Sequence, residues 1–308
     1  MSTWAEGTRR GKWYLFAAYD HAVTAVPPDL RERARAFANG GLAVAEARHA
    51  ATVVLLRDGR GDSGLEVYLL RRASTMAFAA GQHVFPGGSV DPRDGEHSPA
   101  WSGRSASAWG ESLGCDANMA RALVCAAVRE TFEESGVLLA GASVDAVVAD
   151  TTGANWEADR QALLDRSESL AELLERRGLV LRSDLLRAWA HWITPEFEPR
   201  RFDARFFVAA VPTGQRARDV SGEADHAVWM SVAGAVRGFE SGALPMLPPT
   251  IVALRELAAY ANVAEVLEAD MTVTPLMPRA VLEGDNVLLV VDGPEGPVEM
   301  DSVVRVRA

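Results

Sequence analysis

Between residues 121 and 137 the apolar positions recur every three to four residues, so Val124, Val128 and Phe132 fall within about 80° of one another on a helical wheel. That spacing predicts a helix, capped at its start by Asp116 or Asn118 and ended by Gly136. Glu130, Glu133 and Glu134 stand at i, i+3 and i+4 and share the opposite face. Three carboxylates one turn apart repel each other unless something positive sits among them, and Arg129 beside them points partly sideways. A solvated acidic face and a seat for a hard divalent cation both satisfy this pattern.

Elsewhere the pattern is extended. Apolar runs at 51–56 and 65–70 flank the turn cluster Asp58-Gly59-Arg60-Gly61-Asp62 and read as two strands. Residues 202–211 read as a buried strand, with Asp203 and Arg205 alternating against Phe202, Phe206 and Phe207. Residues 227–230 read as a shorter strand. Helices are expected at 31–37, ended by Gly40-Gly41, at 232–239, and at 248–260, where proline opens the first turn. Residues 157–176 read as one amphipathic cover helix, with Leu163, Leu164, Leu170, Leu173 and Leu174 inward. The stretch 92–117 is rich in Gly, Ser, Asp and Pro and reads as a long ordered loop or insertion. Strands are expected near 271–273, 286–291 and 303–306, with a turn at 292–296. The strands and helices lack regular βαβ spacing, so the expected class is α/β of the α+β type, a mixed β-sheet flanked by helices. The expected organisation is an N-terminal extension over 1–48, a main domain over 49–261 with an insertion at about 93–120, and a C-terminal β-rich extension over 262–308.

Composition narrows the options. The chain has 308 residues, 48% of them hydrophobic, which supports a sizeable core. A net charge of −11 argues against general affinity for nucleic acid or an anionic membrane, while leaving room for a small anionic substrate held through a metal. Two cysteines, Cys115 and Cys125, imply neither a disulfide framework nor a zinc cluster and fit a reducing, cytoplasmic setting. The apolar run 13–19 is interrupted by Asp20 and is too short for a signal or membrane segment. A homodimer is left open.

Phe85-Pro86-Gly87-Gly88, followed at a distance by Arg129-Glu130-x-x-Glu133-Glu134-x-Gly136-Val137, resembles the signature of the Nudix hydrolases. About 27 extra residues separate the two halves, and Arg121 stands where the signature has its upstream glutamate. Asp94 is the candidate for that acidic place. The order His83-Val84-Phe85-Pro86-Gly87-Gly88, Asp91, Asp94, Trp101, then Arg201 to Phe207, Glu223, Trp229-Met230 and Pro248-Pro249 resembles the split-box branch of peroxisomal coenzyme A diphosphatases. The resemblance spans about residues 50–260 and implies a Nudix-like α/β/α sandwich.

It also implies hydrolysis of a nucleoside diphosphate linked to another moiety, with Mg²⁺ or Mn²⁺ as cofactor and a small-molecule nucleotide-type substrate. Coenzyme A or an acyl-CoA is the expected substrate. A pyrophosphatase for NADH, ADP-ribose or a nucleotide sugar, and a non-catalytic ligand sensor, are the alternatives. By resemblance, Gly88, Glu130, Glu133 and Glu134 are the metal positions. Glu130, Glu134, Arg129 and Glu223 are the catalytic candidates, with Glu130 a ligand or base, Arg129 an orienting partner and Glu223 a loop base. Arg72, Ser74, Phe78, Gly81, His83 and Gly87 are the substrate-binding candidates. Ala73 departs from the coenzyme A motif, which prefers Ser or Thr there.

Overall fold

The computed structural model of the protein describes residues 28–61, 64–74, 79–96, 99–220, 224–283, 286–293 and 296–299. Helix α1 (Pro28–Ala38) precedes β1 (Ala47–Asp58), β2 (Leu65–Arg72), β3 (His83–Val84) and β4 (Gly87–Ser89). Helix α2 (Pro92–Glu96), β5 (Trp101–Ser102) and α3 (Ala106–Leu113) lead into the long helix α4 (Ala117–Ser135). Next come β6 (Ala140–Gly141), α5 (Ala154–Leu164), α6 (Leu170–Arg177), β7 (Val180–Arg182), β8 (Arg187–Ile193) and β9 (Arg201–Ala210). The order closes with β10 (Ala224–Ser231), α7 (Val232–Glu240), α8 (Pro248–Leu257), α9 (Val263–Glu268), β11 (Pro275–Leu276), β12 (Arg279–Glu283), β13 (Asn286–Gly293) and β14 (Gly296–Glu299).

The main sheet runs β10-β2-β1-β9-β8-β11, with β3 paired to β2 and β4 to β1. It is mixed: β1 and β9 pair in parallel from Ala47↔Arg201 to Leu56↔Ala210, while β1–β2, β1–β4 and β8–β9 are antiparallel. Side chains alternate across it, so the sheet carries two cores. On one face Ala51, Val53, Leu55, Tyr68, Leu70 and Phe207 pack against α3, α4, α5 and α6. On the other, Val54, Leu56, Val67, Leu69, Phe206 and Val208 pack against α7, α8 and α9. The class is therefore the expected one, an α/β/α sandwich on a mixed sheet. A third, small core joins Ala34 and Phe37 of α1 to Val287 and Leu289 of β13.

Helix α4 forms as its pattern predicts. Of the two cap candidates Asp116 is used: its Oδ1 accepts from the Asn118 and Met119 N–H groups at 2.8 and 2.9 Å. Gly136 ends the helix with φ 72°, a left-handed conformation that glycine adopts without steric cost. Val124, Val128 and Phe132 are fully buried. Burial of side chains of this size contributes about 1.5–3 kcal/mol each.

Several expectations fail on local detail. The stretch 92–117 is not a loop: it carries α2, β5 and α3, the last capped by Ser105 and closed by Gly114. The 157–176 helix is two helices. The break falls at Arg166, which takes φ 58°, and α6 restarts with a capping box between Ser169 and Glu172. Strand β8 was not anticipated. Residues 271–273 are irregular, and β12 and β14 form instead. The expected strand at 303–306 lies outside the described residues.

Candidate active site

Strand β4 brings the glycine pair to the acidic helix. Ala51 pairs with Gly88 and Thr52 with Gly87, and the Val53 N–H donates to the Pro86 carbonyl at 2.8 Å. Ala51 belongs to the α4-side core, so Gly88 faces α4 as well. The Glu130 carboxylate fills the space where a side chain on Gly88 would be: a Cβ there would lie 2.5 Å from Glu130 Oε1. At Gly87 a Cβ would lie 2.5 Å from the Ala51 carbonyl oxygen. The Gly87 N–H donates to Glu134 Oε2 at 2.8 Å. Both glycines are thus required by close approach.

Arg129 organises the carboxylates. Its Nε and Nη2 donate to Asp94 Oδ1 and Oδ2, both at 2.9 Å, a two-pronged charge-assisted pair. Its Nη1 donates to Glu130 Oε1 at 2.8 Å and to Glu133 Oε2 at 3.2 Å, and Nη2 also donates to the Ser89 carbonyl at 3.0 Å. Arg129, Asp94, Glu133 and Glu134 are all buried. Burial raises the Glu130 carboxyl to about 7, with Arg129 opposing and Glu133 adding to the shift. Burial raises Glu133 in the same way. For Arg129 burial alone would favour the neutral form, but the bonds to Asp94 and the charges of Glu130 and Glu133 more than offset it and hold the guanidinium charged.

Neighbouring residues close the site. Arg160 is buried and donates from Nη1 to the Glu133 carbonyl at 2.8 Å. Tyr68 lies under α4 and donates to the Arg218 carbonyl at 2.6 Å. Burial, then the charges of Asp219 and Glu134, raise its phenol well above the ordinary value. Sequence reasoning passed over both. Tyr68 was accessible through its alternation with Leu70, whereas nothing in the spacing of Arg160 marks it.

The structure does not gather all the candidates. Arg72 ends β2 and is half-buried; its backbone bonds to Gly81 and Gln82 close the turn between β2 and β3. Ser74 is exposed in that turn. His83 is buried toward the segment of Pro245 and Met246, and alternates with Phe85 onto the face away from α4. Burial lowers its basicity. Phe78 and Glu223 lie outside the described residues.

Among the described residues no three acidic, His or Cys side chains already converge as a metal cage. The donor set nevertheless fits a hard divalent ion: Glu130, Glu133 and Glu134 supply carboxylate oxygen from one helix, and Glu130 reaches the Cα of Gly88, where no side chain obstructs. The Arg129 guanidinium pairs with Asp94, Glu130 and Glu133, and a cation among the carboxylates would further offset the cost of burying them.

Comparison with known proteins agrees with this architecture. The family model for the NUDT19 Nudix domain matches residues 109–257. A crystal structure of a NUDIX hydrolase from Alicyclobacillus acidocaldarius is 31% identical, with a TM-score of 0.61, and the match covers 74% of this chain and 98% of that one. A split glycine loop and acidic helix on this sandwich define a Nudix-type hydrolase domain. The chain belongs to the Nudix hydrolase family. Among curated relatives it is similar to acyl-coenzyme A diphosphatase NUDT19 of Xenopus laevis, 25% identical over 66% of this chain. It is likewise similar to the protein of that name from Gallus gallus, 24% identical over 66% of this chain. The matches span 62% and 63% of those two relatives' own lengths. Among the described residues no helix is long and apolar enough to cross a membrane.

Proposed function

We propose that the chain hydrolyses the diphosphate of coenzyme A or an acyl-CoA, with Mg²⁺ or Mn²⁺ as cofactor, and that residues 49–261 form the catalytic unit. The observation that carries this reading is the packing of Glu130 and Glu134 against Gly88 and Gly87, which reunites the split box in space. The names of the two curated relatives support the substrate class. The free Cys115 and Cys125 support a cytoplasmic setting.

In this reading Glu130, Glu133, Glu134 and the Gly88 carbonyl hold the ion. When bound, it supplies charge neutralisation for the diphosphate and a water that is more easily deprotonated. Arg129 keeps Glu130 and Glu133 in one orientation, and Gly87 does the same for Glu134 through its N–H. Glu130 or Glu223 accepts the proton from the attacking water. Arg72 at the end of β2 contacts a substrate phosphate.

The test is a panel of coenzyme A, acyl-CoA, NADH, ADP-ribose and nucleotide sugars with Mg²⁺ and Mn²⁺, with products identified by mass. Release of 3′,5′-ADP and a phosphopantetheine fragment is the expected result. Turnover of ADP-ribose or NADH in preference to both coenzyme A forms would replace the substrate. Binding without turnover of any of them would make the chain a sensor.

A further inference from the structure

Strands β3, β2 and β10 place three nitrogen-bearing side chains at one level. Arg71 of β2 pairs with His83 of β3 on one side and with His226 of β10 on the other. Residues directly opposite in antiparallel strands project to the same face, with Cβ atoms about 5 Å apart. That face is the one away from α4, because Leu69, Val228 and Phe85, each two residues along its strand from a member of the row, pack into the α7–α8 core. The row therefore lies on the sheet surface opposite the carboxylates of α4, where β3 runs on into the glycine loop.

The row lacks a counter-charge. Arg71 and His226 are exposed, and among the described residues neither side chain bonds to a carboxylate. Elsewhere Arg57, Arg93, Arg160, Arg176, Arg177 and Arg182 each pair with one. Asp225 is the extra residue where β10 shifts register; it is exposed and makes no ion pair with the row. His83 is buried and its ring is fixed through Nδ1, which donates to the Pro245 carbonyl at 3.4 Å. A carbonyl can only accept, so Nε2 is left as the ring's other hydrogen-bonding nitrogen. Burial lowers the basicity of His83 against the pull of the Pro245 bond, and the charges of Arg71 and His226 lower it further. Like charges set directly opposite across strands are destabilising, and this row stands on a chain whose net charge is −11.

We propose that Arg71 and His226, with His83 as the floor, bind a phosphate-type dianion. The guanidinium offers a planar fork to two phosphate oxygens, and an imidazole on either side completes the set. A bound anion offsets the repulsion along the row. The anion is either a phosphate that a substrate carries away from its scissile diphosphate, or free phosphate; the recognising chemistry is the same. Without a divalent ion the carboxylate face of the sheet repels such an anion, so binding in the absence of metal reports the row alone. The site does not depend on the diphosphatase reading.

The experiment titrates the full chain with inorganic phosphate in the absence of divalent ions. It follows the ring signals of isotope-labelled histidine by NMR, against sodium chloride at matched ionic strength. His83→Gln and His226→Gln assign the two signals. Saturable shifts of both are expected with phosphate and not with chloride, and Arg71→Gln is expected to abolish the saturation. Arg71 is exposed, so its substitution leaves no buried group unpaired; His226→Gln, followed through His83, is the second variant. Shifts no different from those with chloride overturn the proposal, as does saturation at an unchanged midpoint in Arg71→Gln. The source of the anion is read from KM for coenzyme A and dephospho-coenzyme A, which differ by one phosphomonoester. A substrate-borne anion gives a KM lower for coenzyme A by roughly three- to tenfold, and Arg71→Gln closes that gap. A gap that Arg71→Gln leaves untouched, or no gap, assigns the row to free phosphate. A chain that binds phosphate at the row but turns over no coenzyme A sinks the diphosphatase reading alone, whereas turnover without saturable shifts sinks this proposal alone.

Discussion

Glu134 Oε2 accepts a 2.8 Å hydrogen bond from the backbone N–H of Gly87, 47 residues earlier in the chain. The bond fastens the end of the acidic helix to the glycine loop. Glu134→Gln preserves the size and an acceptor for Gly87 but removes a charge. We expect kcat to fall at least about a hundredfold with little change in Tm, since the loss is of charge toward the bound ion. Near-normal kcat in that variant would remove Glu134 from the site.

Gly88→Ala tests the close approach on the other side. The new Cβ would sit 2.5 Å from Glu130 Oε1, so the carboxylate must move. A fall in kcat of about tenfold or more is expected, equivalent to about 1.4 kcal/mol in the barrier. Steady-state kinetics beside a thermal melt separate this from unfolding; an unaltered kcat would show that the position of Glu130 is unimportant.

Arg72→Ala addresses substrate. Loss of a charge-assisted bond to a phosphate costs about 1.5–3 kcal/mol, so KM for coenzyme A should rise about tenfold or more. KM for ADP-ribose should rise less. Equal changes for the two would argue against a coenzyme A subsite at the end of β2.

Asp203 provides a pH test away from the site. Burial alone would raise its carboxyl, but hydrogen bonds from His191 and Arg205 outweigh it and lower the value from 3.8 to about 2. A carboxyl depressed in the folded state adds stability above pH 3.8, and that stability is lost as pH falls toward 2. The shift corresponds to about 2 kcal/mol. Asp203→Asn should therefore lower the unfolding free energy at neutral pH and flatten its dependence on pH between 4 and 2. Parallel wild-type and variant curves across that range would contradict the pairing.

The two thiols should differ in reactivity. Burial raises Cys125 to about 12, and raises the half-buried Cys115 by a smaller amount. Because the thiolate is the nucleophile, iodoacetamide at pH 8 should modify Cys115 first and Cys125 only after denaturation. Peptide mapping that finds Cys125 modified in the folded protein would show that α4 opens.

What was legible in the sequence was local. The caps of α4, its apolar stripe and the acidic face all lie within one helix, so the period of Val124, Val128 and Phe132 exposed them directly. The apolar runs such as β1 gave a mixed sheet flanked by helices, and the sandwich came from the family resemblance. Strand β8 escaped because its Trp189 and Trp192 both pack into the α7–α8 core across an irregularity in register, which destroys simple alternation. The break between α5 and α6 was written in the spacing of Ser169 and Glu172, yet Leu163, Leu170, Leu173 and Leu174 share one buried core and hid it, while Leu164, expected inward, is exposed. The Asp94–Arg129 pair joins residues 35 apart on different helices, and only the packing of α2 against α4 makes it.

The parallel pairing of β1 with β9 also governs how the chain reaches this state. Ala47 meets Arg201, so the centre of the sheet cannot close until synthesis has passed two-thirds of the chain. Pairings so distant in sequence are slow because loop closure precedes any reward. Until then the apolar run through Val53, Val54, Leu55 and Leu56 has no partner on that edge. The β9-facing edge of β1 therefore stays open longer than the edge that meets β2 and β4, and an unpaired apolar edge of this kind is an aggregation hazard during synthesis.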